Sequence, residues 1–227
     1  MGTNYNPKIV TDGLVLALDA ANVKSYPGSG TAWNDLSINK SNASLLVGIT
    51  LGTSNKGVMI FDGTDDHVDF SAPSLSSTAT VEMWAKPGSL SDKMFFGWLA
   101  YDIYCLSGVI GYNTASSDIY GISSTVVTSL GLLNNWHHYV FEMRSDVSYT
   151  NNKIYIDGVS QTLSQQLGTE APANRTFNSG NGRIAGWRTN TSHRMPMECP
   201  IFKVYNRALL ASEVQQNFNA LRGRYNV

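Results

Sequence analysis

Trp136 to Val159 reads WHHYVFEMRSDVSYTNNKIYIDGV, and this stretch decides the fold class. From Trp136 to Arg144 the side chains divide by the two-residue period of an extended strand. His137, Tyr139, Phe141 and Met143 form one row; Trp136, His138, Val140, Glu142 and Arg144 form the other. The first row is the expected core face. Asn151-Asn152 then turns the chain into Lys153–Asp157, and Asp157-Gly158 supplies the positive φ values of a tight hairpin turn. The segment is an antiparallel meander.

The same grammar extends outward. Thr80 to Ala85 alternates strictly, with Val81, Met83 and Ala85 opposite Thr80, Glu82 and Trp84, as a half-buried strand requires. Leu14–Leu18, Arg183–Trp187 and Ile201–Tyr205 are further short apolar runs, separated by Gly, Asn, Ser and Asp clusters. Many short strands with such turns make a two-sheet antiparallel sandwich. No repeat of fixed period points to a propeller or solenoid. Near the end the period changes: Val214, Phe218 and Leu221 recur at helical spacing, Ser212 with Gln215 forms a capping box, and Gly223 stands where a helix stops. One short C-terminal helix is expected on an otherwise all-β protein. The longest irregular pieces run from Asn22 to Thr31 and from Thr189 to Pro196, and long loops on a rigid sandwich are where recognition resides.

At 227 residues the chain suits one large β core. Its net charge of −1 carries no basic footprint, so nucleic acid is not an expected partner. Met1–Lys8 is polar and without an apolar signal region, and no run approaches the roughly 18 apolar residues of a membrane span. Neither export by the usual route nor membrane insertion is expected. Cys105 and Cys199 belong to no C-x-x-C pair and read as buried free thiols, with one bridge as the alternative. The sequons at Asn39, Asn42, Asn174 and Asn190 are read as products of an Asn/Ser/Thr-rich composition, without glycans.

Five segments in order carry a resemblance: IVTDGLVLALDAANVKSYPGSGTAWNDLS (Ile9–Ser37), VMIFDGTDDHVDF (Val58–Phe70), TVEMWAK (Thr80–Lys86), NNWHHYVFEMRS with KIYIDGV (Asn134–Val159), and FKVYNRALLASEVQQNFNALRGRY (Phe202–Tyr225). Together they resemble laminin-G-like, concanavalin A-like lectin-glucanase jelly-roll domains. The wording is most similar to the versions carried by tailed-bacteriophage structural proteins. The resemblance implies a jelly roll over residues 9–227 with an N-terminal arm at 1–8, made in a host cytoplasm and placed on the virion surface. It implies other capsid or fibre proteins as partners, and weak binding of host-surface or environmental glycans. A purely architectural protein without a sugar ligand is the alternative. Trp33 and Trp84, inside family-like segments, read as framework residues; the glycines that usually follow the Trp33 segment in relatives are absent here.

A third reading, cleavage of polysaccharide, needs paired carboxylates, roughly 5 Å apart when a glycosidase retains configuration. Enzymes of this resemblance hold them as E-x-D-x-E or E-x-D-x-x-E on one strand. The glutamates here are Glu82, Glu142, Glu170, Glu198 and Glu213, none with an acidic residue two positions away. No G-x-S-x-G elbow supplies a nucleophile, and His137 and His138, adjacent on a strand, point to opposite faces and cannot share a metal ion. No catalysis is expected. No cofactor is expected either, calcium being the one candidate, through Asp62, Asp65 and Asp66. The preferred account of that cluster is a turn after Phe61 in which Asp side chains bond nearby backbone N–H groups.

Sugar recognition asks for flat aromatic faces beside Asn, Asp or Arg. Two neighbourhoods qualify: Trp98, Tyr101 and Asp102 with Tyr104, and Trp187, Arg188, Asn190 and Arg194 in or beside a loop. Trp98 and Tyr104 also fit as core, as most strand aromatics do.

Overall fold

The structure is a computed structural model that describes residues 7–115, 117–169, 175–177, 180–188 and 191–227. Among these, two antiparallel sheets form the sandwich expected of a concanavalin A-like jelly roll. The first runs β14 (Val159–Ser160), β13 (Lys153–Ile156), β12 (His137–Arg144), β7 (Thr78–Pro87), β17 (Met197–Tyr205), β5 (Val58–Phe61), β4 (Thr50–Gly52), with β1 (Leu14–Asp19) also paired to β17. The second runs β15 (Ser164–Leu167), β11 (Asp118–Ile122), β10 (Val109–Ala115), β9 (Asp102–Leu106), β8 (Lys93–Trp98), β16 (Asn181–Ile184), β6 (His67–Ser71), β3 (Ala43–Leu46), β2 (Ala32–Trp33). Two α-helices are described, α1 (Ser124–Ser129), absent from the sequence reading, and the C-terminal α2 (Ala211–Leu221).

The core lies between the sheets, and the alternation in β7 and β12 selects it. Val81, Met83, Ala85, Tyr139, Phe141 and Met143 meet Phe95, Phe96, Trp98 and Ile103 from the opposite sheet in one apolar cluster. Edge-to-face packing of Trp98 on Phe70, Phe96 and Phe177, with centroids 5.3–5.8 Å apart, adds the quadrupole attraction such pairs favour. His137 departs from the core row: it is half-buried at the strand end, its Nδ1 2.7 Å from Asp157 Oδ2. That carboxylate also accepts from His138 N, at 2.9 Å, and Asp157 and Gly158 have φ of 52° and 82°, as the tight turn requires.

The expected solvent rows are buried as well. Thr80, Glu82, Trp84, His138 and Glu142 are all closed off from water. The cause is tertiary: α2 and the 3-10 turn Arg222–Arg224 return over this face, and Trp84 stacks on Tyr225 at 4.1 Å and on Phe218 at 5.9 Å. The helix begins two residues before the expected Ser212 cap, with Leu210 at the N-cap and Glu213 Oε2 accepting from Leu210 N at 2.8 Å. Gly223 does not end it in a left-handed turn; the chain continues into that 3-10 turn.

The Trp33-Asn-Asp-Leu-Ser37 segment closes the open side of β1. Asp35 Oδ1 accepts from Ala17 N and Ser37 N, each at 2.8 Å, while Oδ2 takes Ser41 N at 2.9 Å and Ser37 Oγ at 2.6 Å. Leu36 N donates to Ala17 O and Ser37 Oγ to Val15 O, so β1 offers no bare strand edge there. Trp33 is fully buried, as a framework residue. Cys105 and Cys199 are both buried and free; burial raises both thiols, Cys199 to about 12. Among the described residues no helix is long and apolar enough to cross a membrane.

Candidate functional site

Strand register builds a polar line across the outer face of the second sheet. Asp69 of β6 pairs with Arg183 of β16, Arg183 with Gly97 of β8, and Gly97 with Asp102 of β9. Ile103 pairs with Tyr112, which sets Asn113 of β10 beside Asp102. The Arg183 guanidinium forks onto Asp69 at 2.7 and 3.1 Å. Gly97 leaves the room Asp102 occupies: a Cβ there would stand 2.6 Å from Asp102 Cβ.

Over the Asp102 end of this line lies a cleft of about 300 Å³. Met94, Tyr104 and Trp187 give its apolar walls; Asp102, Asn113 and Arg175 give polar groups. The rim is tied together by rings and short polar contacts. His193 packs edge-on to Tyr104 with centroids 5.1 Å apart, and its Nδ1 lies 2.8 Å from Asp92 Oδ1, which also accepts from the Tyr104 hydroxyl. That hydroxyl holds the Asp92 carboxyl below the usual carboxylate range, while burial raises Tyr104. Trp187 is half-buried, with Nε1 3.4 Å from Leu99 O, so part of its ring faces solvent beside the cleft.

Asp102 is strongly perturbed. It is 4% exposed, and burial raises its pKa to about 7 against the opposing influence of the Asn113 amide and the Arg175 charge. Asp102 Oδ1, Asn113 Oδ1 and Arg175 Nε are buried with no hydrogen-bond partner among the described residues. Arg175 is held by its Nη2, which donates to Thr114 O. Buried polar atoms are ordinarily satisfied, and two acceptors and a donor left over beside one cleft make it the candidate site.

A family model described as the Concanavalin A-like lectin/glucanases superfamily, Laminin_G_3, matches residues 62–215, more than half of the chain. The chain belongs to this superfamily. No curated protein matches it by sequence. Among solved structures, the receptor-binding domain of botulinum neurotoxin mosaic serotype C/D is similar at TM-score 0.64 and 13% identity, over 92% of this chain and 51% of that one. The botulinum neurotoxin serotype D ligand-binding domain, solved in complex with N-acetylneuraminic acid, gives 0.61 and 12% over 92% and 51%. The binding domain of Paraclostridial Mosquitocidal Protein 1 gives 0.61 and 14% over 92% and 52%. The chain thus spans about half the length of these structures, and at such identities the likeness speaks for the lectin-type fold alone.

Within this lectin-type sandwich the two neighbourhoods read from the sequence meet, but not whole. Asp102 and Trp187 line the same cleft, together with Tyr104. Trp98 and Tyr101 do not: both are fully buried in the core, Trp98 at the inward-facing end of β8 and Tyr101 in the turn before β9, where its OH accepts from Asn152 Nδ2 inside the protein. Arg188 sits toward the other end of the polar line, its Nη1 3.8 Å from Asp69 Oδ2. Arg194 is 4% exposed and packed against Gly186, where a Cβ would stand 2.4 Å from its Nη1, so it is a structural residue and not an open sugar contact. Asn190 lies outside the described residues, as do the sequon residue Asn174 and Glu170. Asn113, Arg175 and His193 were not foreseen; only their polar type, set among aromatics, could have flagged them.

Asp62, Asp65 and Asp66 bring carboxylate oxygens within 4.8 Å of one another. Two of the three side chains serve the turn itself: Asp62 Oδ1 accepts from Thr64 N at 2.7 Å and Asp66 Oδ2 from Asp62 N at 3.0 Å. Asp66 Oδ1, buried without a partner among the described residues, is an oxygen the turn leaves over for a calcium ion. The described glutamates lie away from the cleft in ion pairs: Glu82 with Lys203, Glu142 with Lys153, Glu198 with Lys86, and Glu213 with Arg207.

Proposed function

We propose that the protein is a glycan-binding module that performs no bond-breaking step, and that the cleft over Asp102 is its binding site. The observation that carries this reading is the pairing, in one cleft of about 300 Å³, of a solvent-facing Trp187 ring with buried, unpartnered polar atoms of Asp102, Asn113 and Arg175. A sugar ring matches that arrangement: its C–H face stacks on the aromatic while its hydroxyls satisfy the polar atoms. The described glutamates, drawn into ion pairs elsewhere, favour recognition over hydrolysis. Membership of a superfamily of lectins and glucanases fits the same class of ligand.

The setting we propose is the exterior of a tailed-phage particle, on the resemblance of the five sequence segments. There, many copies would turn weak single-site binding into avidity through high effective concentration. A glycan array with the intact protein and the Trp187→Ala variant tests the binding role. Retention of saccharides by the parent and at least about tenfold weaker binding by the variant is expected. No binding to any saccharide, with a stable complex formed with a capsid or fibre protein, would replace this reading by the architectural one.

A further inference from the structure

We infer that the cleft selects neutral saccharides through a pair of neighbouring hydroxyl groups that donate to Asp102 Oδ1 and Asn113 Oδ1. The inference rests on the glycan-binding reading and narrows it to a ligand chemistry. Asp102 and Asn113 stand side by side on β9 and β10, and the oxygen each presents is an acceptor without a donor among the described residues. Only a ligand rich in donors satisfies both, and hydroxyls on adjacent carbons of a sugar ring are such a pair. Arg175 Nε, the remaining unpartnered group, donates and so fits a ring or hydroxyl oxygen of the same sugar.

An acidic saccharide meets this pattern badly. Its carboxylate brings acceptors to two acceptors, and where Asp102 is ionised, above about pH 7, it also sets like charges together. Arg175 offers one charge in compensation, but its Nη2 is already committed to Thr114 O. Asp92, Tyr104 and His193 on the rim are engaged with one another. The Arg183 guanidinium is forked onto Asp69.

Saturation-transfer NMR and calorimetry on the intact protein test the inference. The probes are maltohexaose, cellohexaose and mannohexaose as neutral saccharides, oligogalacturonates and oligosialic acid as acidic ones, and chitosan oligomers as cationic ones. At least one neutral hexasaccharide is expected to bind, with no acidic probe binding within tenfold of it. Asp102→Ala and Asn113→Ala should each weaken that binding by at least about tenfold while the melting temperature is kept or raised. If acidic or cationic probes bind preferentially and Trp187→Ala abolishes it, the neutral-hydroxyl inference falls and the glycan reading stands. If no probe of any class binds, both fall. Should Asp102→Ala not fold, Asn113→Ala with Arg175→Gln carries the test, and undiminished neutral-sugar binding by both overturns the inference.

Discussion

Glu82 and Asp102, on the outer faces of the two sheets, are both buried carboxyls, and their surroundings treat them in opposite ways. Beneath α2, on the first sheet, Glu82 is fully buried with both oxygens engaged. Lys203 Nζ donates to Oε1 at 2.8 Å, Asn217 Nδ2 to Oε2 at 2.6 Å and Tyr205 OH to Oε2 at 3.2 Å. Asn217 Oδ1 in turn accepts from Val10 N at 2.7 Å, and Tyr205 OH lies 3.1 Å from Val10 O, so the cluster fastens the N-terminal segment and α2 to the sheet. Burial raises the Glu82 pKa, but Lys203 and His138 outweigh it and hold the carboxyl below the usual carboxylate range. On the second sheet Asp102 has the reverse outcome: burial wins and its pKa climbs to about 7. A polar group that the fold completes is structural. One that the fold buries beside an open cleft and leaves incomplete is available to a ligand, at a cost in stability.

Substitutions on the two faces should therefore act with opposite sign. The largest effect is expected for Glu82→Gln, which leaves Lys203 buried without its counter-charge. Urea denaturation at pH 7 should show a loss of about 3 to 5 kcal/mol, and a loss below about 1 kcal/mol would erase the distinction. Asp102→Asn should instead stabilise, and only at higher pH. Between the usual value of 3.8 and about 7, the folded state holds a proton on Asp102 that the unfolded chain has released. The parent's stability therefore falls as pH rises through that window, and the full penalty persists above it. The variant has no such penalty, so its advantage should be near zero at pH 4 and grow to as much as roughly 4 kcal/mol at pH 8. Equal stability of variant and parent at pH 8 would show that Asp102 is completed by the fold after all.

Asn217→Ala sharpens the first-face side, since it removes partners from Glu82 and Val10 together; a loss of about 1 to 3 kcal/mol is expected in the same denaturation experiment. The smallest effect on stability belongs to Trp187→Ala, about 1 kcal/mol, since its half-buried ring packs on Met94 and Tyr104 at the edge of the fold. A larger loss would make Trp187 part of the core packing, and its solvent-facing ring incidental.

Much of the fold was legible because it is local. The alternation in Thr80–Ala85 and Trp136–Arg144 marks the core face, and Asp157-Gly158 marks the hairpin, without reference to any distant residue. Burial of the opposite rows was not legible, because it depends on where α2 and the Arg222–Arg224 turn come to rest. The site was legible by residue type and not by orientation. Trp98 and Tyr104 look alike in sequence, yet a register shift between Met94 and Phe96 sends Phe95, Phe96 and Trp98 inward while Tyr104 stays on the outer face. Asp102 and Trp187 belong to separate segments that only the pairing of β9, β8 and β16 brings together. Asn113 and Arg175 enter through the same long-range geometry, which no nearby sequence announces.

The most direct test of the account is a crystal structure of the protein with the neutral hexasaccharide it binds best. The account predicts a sugar ring lying over Trp187, with two neighbouring hydroxyls within hydrogen-bond distance of Asp102 Oδ1 and Asn113 Oδ1. Saccharide seated on any other surface, with those two oxygens still unpartnered, would contradict it.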